Sequence, residues 1–250
     1  TSYNSYGNIM IADFTPPINS SINSSTTQIS IKFHSPVQLS TGNITIYKDS
    51  NDNIRQRVSA NSTFCKLSND GMVVNISIIN STFNENGTKY YVKIDNNFVK
   101  SKYYNEPLRG IESKVWLLES VDIANSSDTA ATGLAFLTID ASNKFSNLSI
   151  TDQLNYTDAL LDEITDKVPV RRKRLSSDYK PQLFDEFGQI TISIRIDLPN
   201  SNTENTVPGV FSNLNKMILY KNITAFCTNM TNDLDSTFGF RPIGELMTAF

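Results

Sequence analysis

Residues 26–47, reading TTQISIKFHSPVQLSTGNITIY, constrain the fold most. Ile29, Ile31 and Phe33 alternate with Gln28, Ser30 and Lys32, and after a polar loop Ile44 and Ile46 alternate with Asn43, Thr45 and Tyr47. A period of two sends alternate side chains to opposite faces, so both segments read as half-buried strands on a common core. His34-Ser35-Pro36 ends the first strand, because the residue before a proline is pushed out of the helical region and proline has no N–H for a ladder. Ser40-Thr41-Gly42 then supplies the turn.

The first half continues in the same manner. Ile9, Ile11 and Phe14 form an opening strand closed by Pro16-Pro17. Residues 55–58, 64–67, 73–78, 89–95 and 115–118 read as further strands, and Asp70-Gly71 between two of them marks a tight hairpin. Residues 49–53, DSNDN, begin like a calcium loop but lack the glycine at its sixth position and the distal glutamate, so they read as a plain turn. Tyr90 or Tyr91 is placed to close a corner with its hydroxyl. With about seven short strands and no helical period, residues 1–120 are expected to form an all-β sandwich.

Several of these segments together resemble the bacterial S-layer (SbsA-type) Ig-like domain. They are an opening strand ended by proline, the strand TTQISIKF with its Pro-Val step, the Asp-Gly hairpin, and Gly87-Thr88-Lys89-Tyr90-Tyr91-Val92 in place of that family's G-T-x-Y-x-V strand. The resemblance implies an Ig-like sandwich in a non-enzymatic surface protein, here of fungal type. In the penultimate loop Tyr103-Tyr104-Asn105-Glu106 replaces the family's Asp-Gly-Asn pattern, so no calcium role is carried over.

Residues 121–132, VDIANSSDTAAT, are small and polar and read as a linker. Beyond it, residues 133–250 change period. A strand is expected over 134–139, then a helix with Leu154, Leu161, Ile164 and Val168 on one stripe, Thr151 or Asp152 as N-cap and Pro169 as its stop. Ile190, Ile192, Ile194, Ile196 and Leu198 make a strand buried on one face, with Thr191, Ser193, Arg195 and Asp197 turned away. Val210, Leu214, Met217 and Ile218 mark a second helix, followed by a strand over 224–228. The order is that of an α+β split βαβ, ferredoxin-like domain.

That order resembles the SEA module of surface proteins. Self-cleaving members carry Gly-Ser before an alternating strand. Here Gly188-Gln189 stands in that place, and a carboxamide cannot attack the preceding carbonyl as a hydroxyl can, so no self-cleavage is expected.

Composition narrows the function. In 250 residues the net charge is −3 with 19% charged side chains, which gives a phosphate backbone no electrostatic hold, so nucleic acid is not an expected partner. No apolar run approaches the roughly 20 residues of a membrane span. Residues 243–250 turn apolar, and a membrane contact is expected only through a segment outside this chain. Acceptor sequons Asn-x-Ser/Thr occur at Asn19, Asn23, Asn43, Asn61, Asn75, Asn80, Asn86, Asn125, Asn147, Asn155, Asn222 and Asn229, mostly in expected turns, helix starts or polar strand faces. They point to a secreted or cell-surface chain.

Chemistry finds little support. His34 is the only histidine and lies at a strand end, so neither a nucleophile–histidine arrangement nor a multi-histidine metal site is expected. Cys65 and Cys227 lack metal spacing and are expected to pack as small hydrophobes, with a disulfide between the halves as the alternative. Asp162-Glu163 and Asp185-Glu186 point to different sides, and Asp233 and Asp235 fit a polar turn. No cofactor is expected. Arg171-Arg172-Lys173-Arg174 resembles a secretory proprotein convertase site cut after Arg174, and reads otherwise as a charged edge strand.

The sequence is thus expected to be the non-enzymatic extracellular region of a membrane-tethered glycoprotein, a spacer or adhesion module with a protein or cell-wall carbohydrate partner. The alternative is a carbohydrate-binding or accessory region of a secreted hydrolase, for which Tyr90, Tyr91, Tyr103, Tyr104 and Trp116 would supply stacking surface.

Overall fold

The alternating segments become strands in a computed structural model that describes residues 8–121, 129–184, 188–201 and 203–243, without the side chains of Leu183 and Phe184. The chain divides into two compact units, Thr1–Asp122 and Ile123–Phe250. It is mostly β-sheet, with four sheets and three α-helices among the described residues.

The first unit contains β1 (Ile11–Thr15), β2 (Ser20–Ile22), β3 (Gln28–Phe33), β4 (Val37–Leu39), β5 (Asn43–Lys48), β6 (Ile54–Ser59), β7 (Cys65–Leu67), β8 (Val73–Ser77), β9 (Lys89–Ile94), β10 (Val99–Ser101) and β11 (Ile111–Ser120). One sheet has the order β1-β3-β8-β7 and the other β2-β11-β9-β5-β6. The inward residues of both, including Ile29, Ile31, Ile44, Ile46, Val74, Ile76, Val92 and Trp116, are almost fully buried, making a β-sandwich core. Each such side chain contributes about 1.5–3 kcal/mol by leaving water. The Trp116 indole N–H, which burial would otherwise strand, donates to the Pro16 carbonyl at 3.0 Å. Ile9 is 85% exposed and lies outside the opening strand, which begins at Ile11.

Two features shape this unit's surface. β11 bulges: Ile111 pairs with Ile94 and Trp116 with Val92, so residues 112–115 face Lys93 alone. Lys114, at φ 63°, folds back over the Tyr91 ring and lies 3.6 Å from Asp49 and 3.7 Å from Asp52. The second feature is a small pair, β4 with β10, that ties the β3–β5 connection to the β9–β11 connection.

In the second unit β12 (Ala131–Phe136) is followed by α1 (Ile139–Ser146) and α2 (Ile150–Lys167). Next come β13 (Leu175–Ser176), β14 (Gln182–Phe184), β15 (Gln189–Ile196), α3 (Val207–Leu219) and β16 (Phe240–Pro242). The sheet runs β13-β15-β12-β16, with β14 also on β15, and all its pairings are antiparallel. Ile190, Ile192, Ile194 and Ile196 share a core with Leu160, Leu161 and Ile164 of α2 and Val210, Leu214, Met217 and Ile218 of α3.

Four expectations need correction here. The strand expected over 134–139 starts at Ala131, inside the expected linker, and gives way to α1. Thr138 caps that helix by accepting the Ala141 N–H. α2 is capped by Ser149 rather than Thr151 or Asp152; the Ser149 hydroxyl accepts the Asp152 N–H and donates to its carboxylate. Thr191 and Ser193 on the outer face of β15 are buried and hydrogen-bonded, to Gln182 O and to Asp178. The strand expected over 224–228 is instead a series of 3-10 turns, and the last strand of the sheet is β16.

Candidate functional site

His34, the only histidine, is exposed where β3 ends, and its backbone N–H donates to Met10 O. Residues 49–53 close the β5–β6 hairpin, with Lys48 N donating to Asn53 O and Asn53 N to the Asn51 side chain. Asp162 pairs with Arg172, while Glu163 pairs with Lys167 and accepts the Met230 and Thr231 N–H groups. Burial alone would raise the Glu163 carboxyl, but these partners hold it below its ordinary value. Asp233 accepts the Tyr156 hydroxyl and Asp235 accepts from Gln189, so the two carboxylates serve different contacts. Asp185-Glu186 and Asn125 lie outside the described residues.

Both cysteines are free thiols, and that of Cys65 donates to Ser59 O at 3.5 Å. Burial pushes the Cys65 thiol up to about 11, as for a packed hydrophobe. Cys227 is exposed, contrary to the expectation that it too is buried.

The basic tetrad is neither a uniform charged strand nor an open substrate. Residues Arg172–Arg174 form a 3-10 turn leading into β13. Arg171 is 61% exposed, Lys173 is exposed, and Arg172 reaches Asp162 and, at 2.9 Å, Asp158 on α2. Arg174 is 1% exposed. Its Nε donates to Asp197 O at 2.9 Å, its Nη1 donates to Asn205 O at 2.8 Å, and it pairs with Glu204 at 3.4 Å. The residue after which a convertase would cut is therefore sealed in the fold, and cleavage there requires local opening.

Gln189 is 3% exposed and follows Gly188, which sits at φ 65° where glycine costs least. Its carboxamide donates to Leu137 O at 2.8 Å and to Asp235 at 2.6 Å, fastening the start of β15 to the end of β12.

The acceptor asparagines form the broadest feature. Asn19, Asn23, Asn61, Asn80, Asn86, Asn147, Asn155, Asn222 and Asn229 are exposed, and Asn43 and Asn75 are half-buried on outward strand faces. The hydroxyl residue of each sequon behaves differently. Thr45, Thr82, Thr157, Thr224 and Thr231 are buried, and Thr82 donates to Gln56 at 2.8 Å inside a polar knot that also holds Arg55.

Of the aromatic residues considered for stacking, Tyr90, Tyr91 and Trp116 are buried and offer no face to a ligand. Tyr90 closes the corner before β9: its hydroxyl accepts the Glu85 N–H at 3.2 Å, and burial pushes that hydroxyl up to about 12. Tyr91 bonds Asp52 and stacks on Tyr47 at 4.9 Å. Tyr103 and Tyr104 are 71% and 78% exposed at a hairpin tip.

No family model and no curated protein matches the chain. Among solved structures it is similar to CopC from Methylosinus trichosporium OB3b, at 9% identity over 47% of this chain and 98% of that one, with a TM-score of 0.33. That likeness carries no functional argument.

Proposed function

We propose that this chain is a non-enzymatic extracellular region of a membrane-tethered cell-surface glycoprotein, serving as a spacer or adhesion module. The placement of its acceptor sequons carries the reading: no described acceptor asparagine is buried, so glycans could be borne on both units without displacing either core. Among the described residues no helix is long and apolar enough to cross a membrane, and the proposed tether lies outside this chain.

The first unit is read as an Ig-like domain. In Ig lettering β1-β3-β8-β7 is A-B-E-D and β11-β9-β5 is G-F-C, with β2 beside β11 as the switched part of strand A. The Tyr90 hydroxyl bonding back to Glu85 fits that domain's tyrosine corner. The SbsA-type likeness is a finer proposal of the same kind. The second unit is read as a split βαβ, ferredoxin-like domain of SEA type, supported by helices between its strands and by the order β13-β15-β12-β16.

The buried threonines add a temporal element. The acceptor tripeptide is recognised as a unit, so Asn43, Asn80, Asn155, Asn222 and Asn229 must receive glycans before their threonines are folded away. Asn19, Asn23, Asn61, Asn75, Asn86 and Asn147 remain open afterwards. Mass analysis of the native chain before and after N-glycan removal tests the proposal. Glycans are expected on both units, and an unmodified chain from its own cell surface would sink it. Offering the folded chain to an oligosaccharyltransferase is expected to exclude the first group.

A further inference from the structure

The glycoprotein reading is the premise here: six acceptors stay open after folding, and they differ in what ties their tripeptides down. Asn75 sits in β8, paired on one side with Ser30 of β3 and on the other with Lys66 of β7, and its carboxamide oxygen accepts from Gln28 Nε2 at 3.0 Å. Asn19 donates its backbone N–H to Leu117 O at 2.8 Å, and Ser20 and Ser21 after it lie in β2 against β11. Beyond Asn86, Gly87 N donates to Ser120 O at 2.7 Å and Thr88 O accepts the Ser120 N–H at 3.0 Å. The Asn147 carboxamide donates to Asn143 O at 2.9 Å, and the Ser149 hydroxyl of that sequon caps α2. At Asn61 the middle residue is the anchor, because the Ser62 hydroxyl is buried and the turn is flanked by buried Ala60 and Cys65. Presenting any of these five tripeptides to an enzyme cleft breaks a ladder, a cap or a packed turn.

Asn23 is held differently. Its backbone carbonyl accepts the Thr26 N–H at 3.0 Å, and its carboxamide oxygen accepts the Ser25 N–H at 2.8 Å and the Ser25 hydroxyl at 2.5 Å. These bonds close within four residues, so the chain reverses there in an Asx turn of its own making. None of residues 23–28 is buried. The anchors lie outside the tripeptide. Ile22 is 4% exposed and its carbonyl accepts the Val121 N–H at 2.9 Å, while the Thr27 carbonyl accepts the Ile78 N–H at 2.8 Å. The sandwich therefore keeps its ladders when residues 23–25 enter a cleft.

We infer that Asn23 is the acceptor at which the folded chain still receives a glycan. Asn23 Nδ2 attacks the anomeric carbon of a lipid-pyrophosphate-linked oligosaccharide. A C–N bond forms as the C–O bond to phosphate breaks, the lipid pyrophosphate leaves with that electron pair, and the Nδ2 proton passes to a carboxylate of the transferase. Two donors already on the carboxamide oxygen stabilise the charge that gathers there as the proton leaves. Occupancy at Asn23 then follows the time the chain spends beside the transferase, whereas the sites with buried threonines depend on the rate of folding.

The test uses the whole 250-residue chain made in a host without N-glycosylation, an oligosaccharyltransferase and its lipid-linked oligosaccharide, with tryptic peptides of the same chain as reference. A melting curve shows that the chain is folded, and glycopeptide masses over a time course give a rate at each site. The folded chain and the peptide are expected to react at similar rates at Asn23. At Asn75, Asn86 and Asn147 the folded chain should be about thirtyfold slower, because some two hydrogen bonds must open first. Slowing at Asn23 as large as at those three, or all four sites reacting at their peptide rates, overturns the assignment. Glycans on the native chain together with an unreactive Asn23 in the folded one would leave the glycoprotein reading standing and remove this assignment alone.

Discussion

Arg174 gives the sharpest test of how the fold treats its basic run. Trypsin cuts after arginine wherever the chain can be drawn out in its cleft, and Arg171 and Lys173 are exposed neighbours in the same turn. Arg174 is held by Asp197 O, Asn205 O and the carboxylate of Glu204, itself only 8% exposed. Removing a buried partner of this kind costs about 3–5 kcal/mol, because the groups left behind are unpaired. If drawing out Arg174 costs about 4 kcal/mol, the open form is populated to roughly one part in a thousand. Cutting after Arg174 should then be about a thousandfold slower in the folded chain than in urea-unfolded chain, in the regime where reclosing outpaces cleavage. Arg174→Lys keeps a trypsin site but loses the planar fork that serves two carbonyls and a carboxylate at once. A loss of about 2 kcal/mol would raise cutting there roughly thirtyfold. Fragment masses over a time course report each bond separately. Cutting after Arg174 at the unfolded rate, or an Arg174→Lys chain cut no faster than wild type, would refute the reasoning.

Two further perturbations probe the units separately. Tyr90→Phe keeps the buried ring but strips the Glu85 N–H of its acceptor, so urea denaturation near neutral pH should show a loss of about 1–2 kcal/mol. Because Tyr90 titrates at about 12 when folded, above the ordinary phenol value, its contribution is complete below about pH 10 and is lost as pH rises toward 12. The wild type should shed up to about 3 kcal/mol more than Tyr90→Phe over that interval, and equal alkaline declines would be evidence against it. Gln189→Ser removes two buried hydrogen bonds and some packing, which should cost about 2–4 kcal/mol. On the SEA-type reading it should also yield two fragments divided between residues 188 and 189 on a denaturing gel, and an intact chain would leave that likeness with strand order alone.

What the sequence made legible was a regular apolar–polar period, which in β15 says nothing of the buried Thr191 and Ser193 on its other face. β3, β5, β8, β9 and β15 alternate over five to eight residues, long enough for a period of two to show, and α2 and α3 carry an apolar stripe. Elements set by distant contacts were not legible. Gly133 belongs to β12 because the Phe240 ring of β16 lies against it; a Cβ there would stand 2.5 Å from that ring. Nothing within the run 131–136 reports this. Residues 224–228, TAFCT, read as a short apolar run between two threonines, yet the Thr224 hydroxyl donates to Met217 O and accepts the Phe226 N–H, which bends the chain into a 3-10 turn. α1 did leave a signal, in Thr138 as N-cap with Asp140 in the first turn, but at eight residues its apolar period is too short to stand out. The exposed tip at Tyr103-Tyr104 is a similar case, since adjacent tyrosines read equally well as core and surface until the β4–β10 pairing fixes them outward.

The basic tetrad shows why a charge count fails where geometry succeeds. In a 3-10 turn side chains three apart fall on the same side. Arg171 and Arg174 are spaced so, and both grip Glu204, at 3.2 Å and 3.4 Å. Arg172, one step round, faces α2 instead and bridges Asp158 and Asp162. Those two carboxylates are four apart on one helix, a spacing at which like charges repel, and a guanidinium reaching both converts that repulsion into attraction. The acidic partners are visible in the sequence as Asp158-x-x-x-Asp162 and as Glu204 before α3, but only the turn type says which cation meets which. Three arginines are thereby paired with carboxylates within the unit, while Arg171 and Lys173 stay exposed. A protease or polyanion approaching this surface meets one lysine and a partly screened arginine, rather than the four-charge cluster that the linear run suggests.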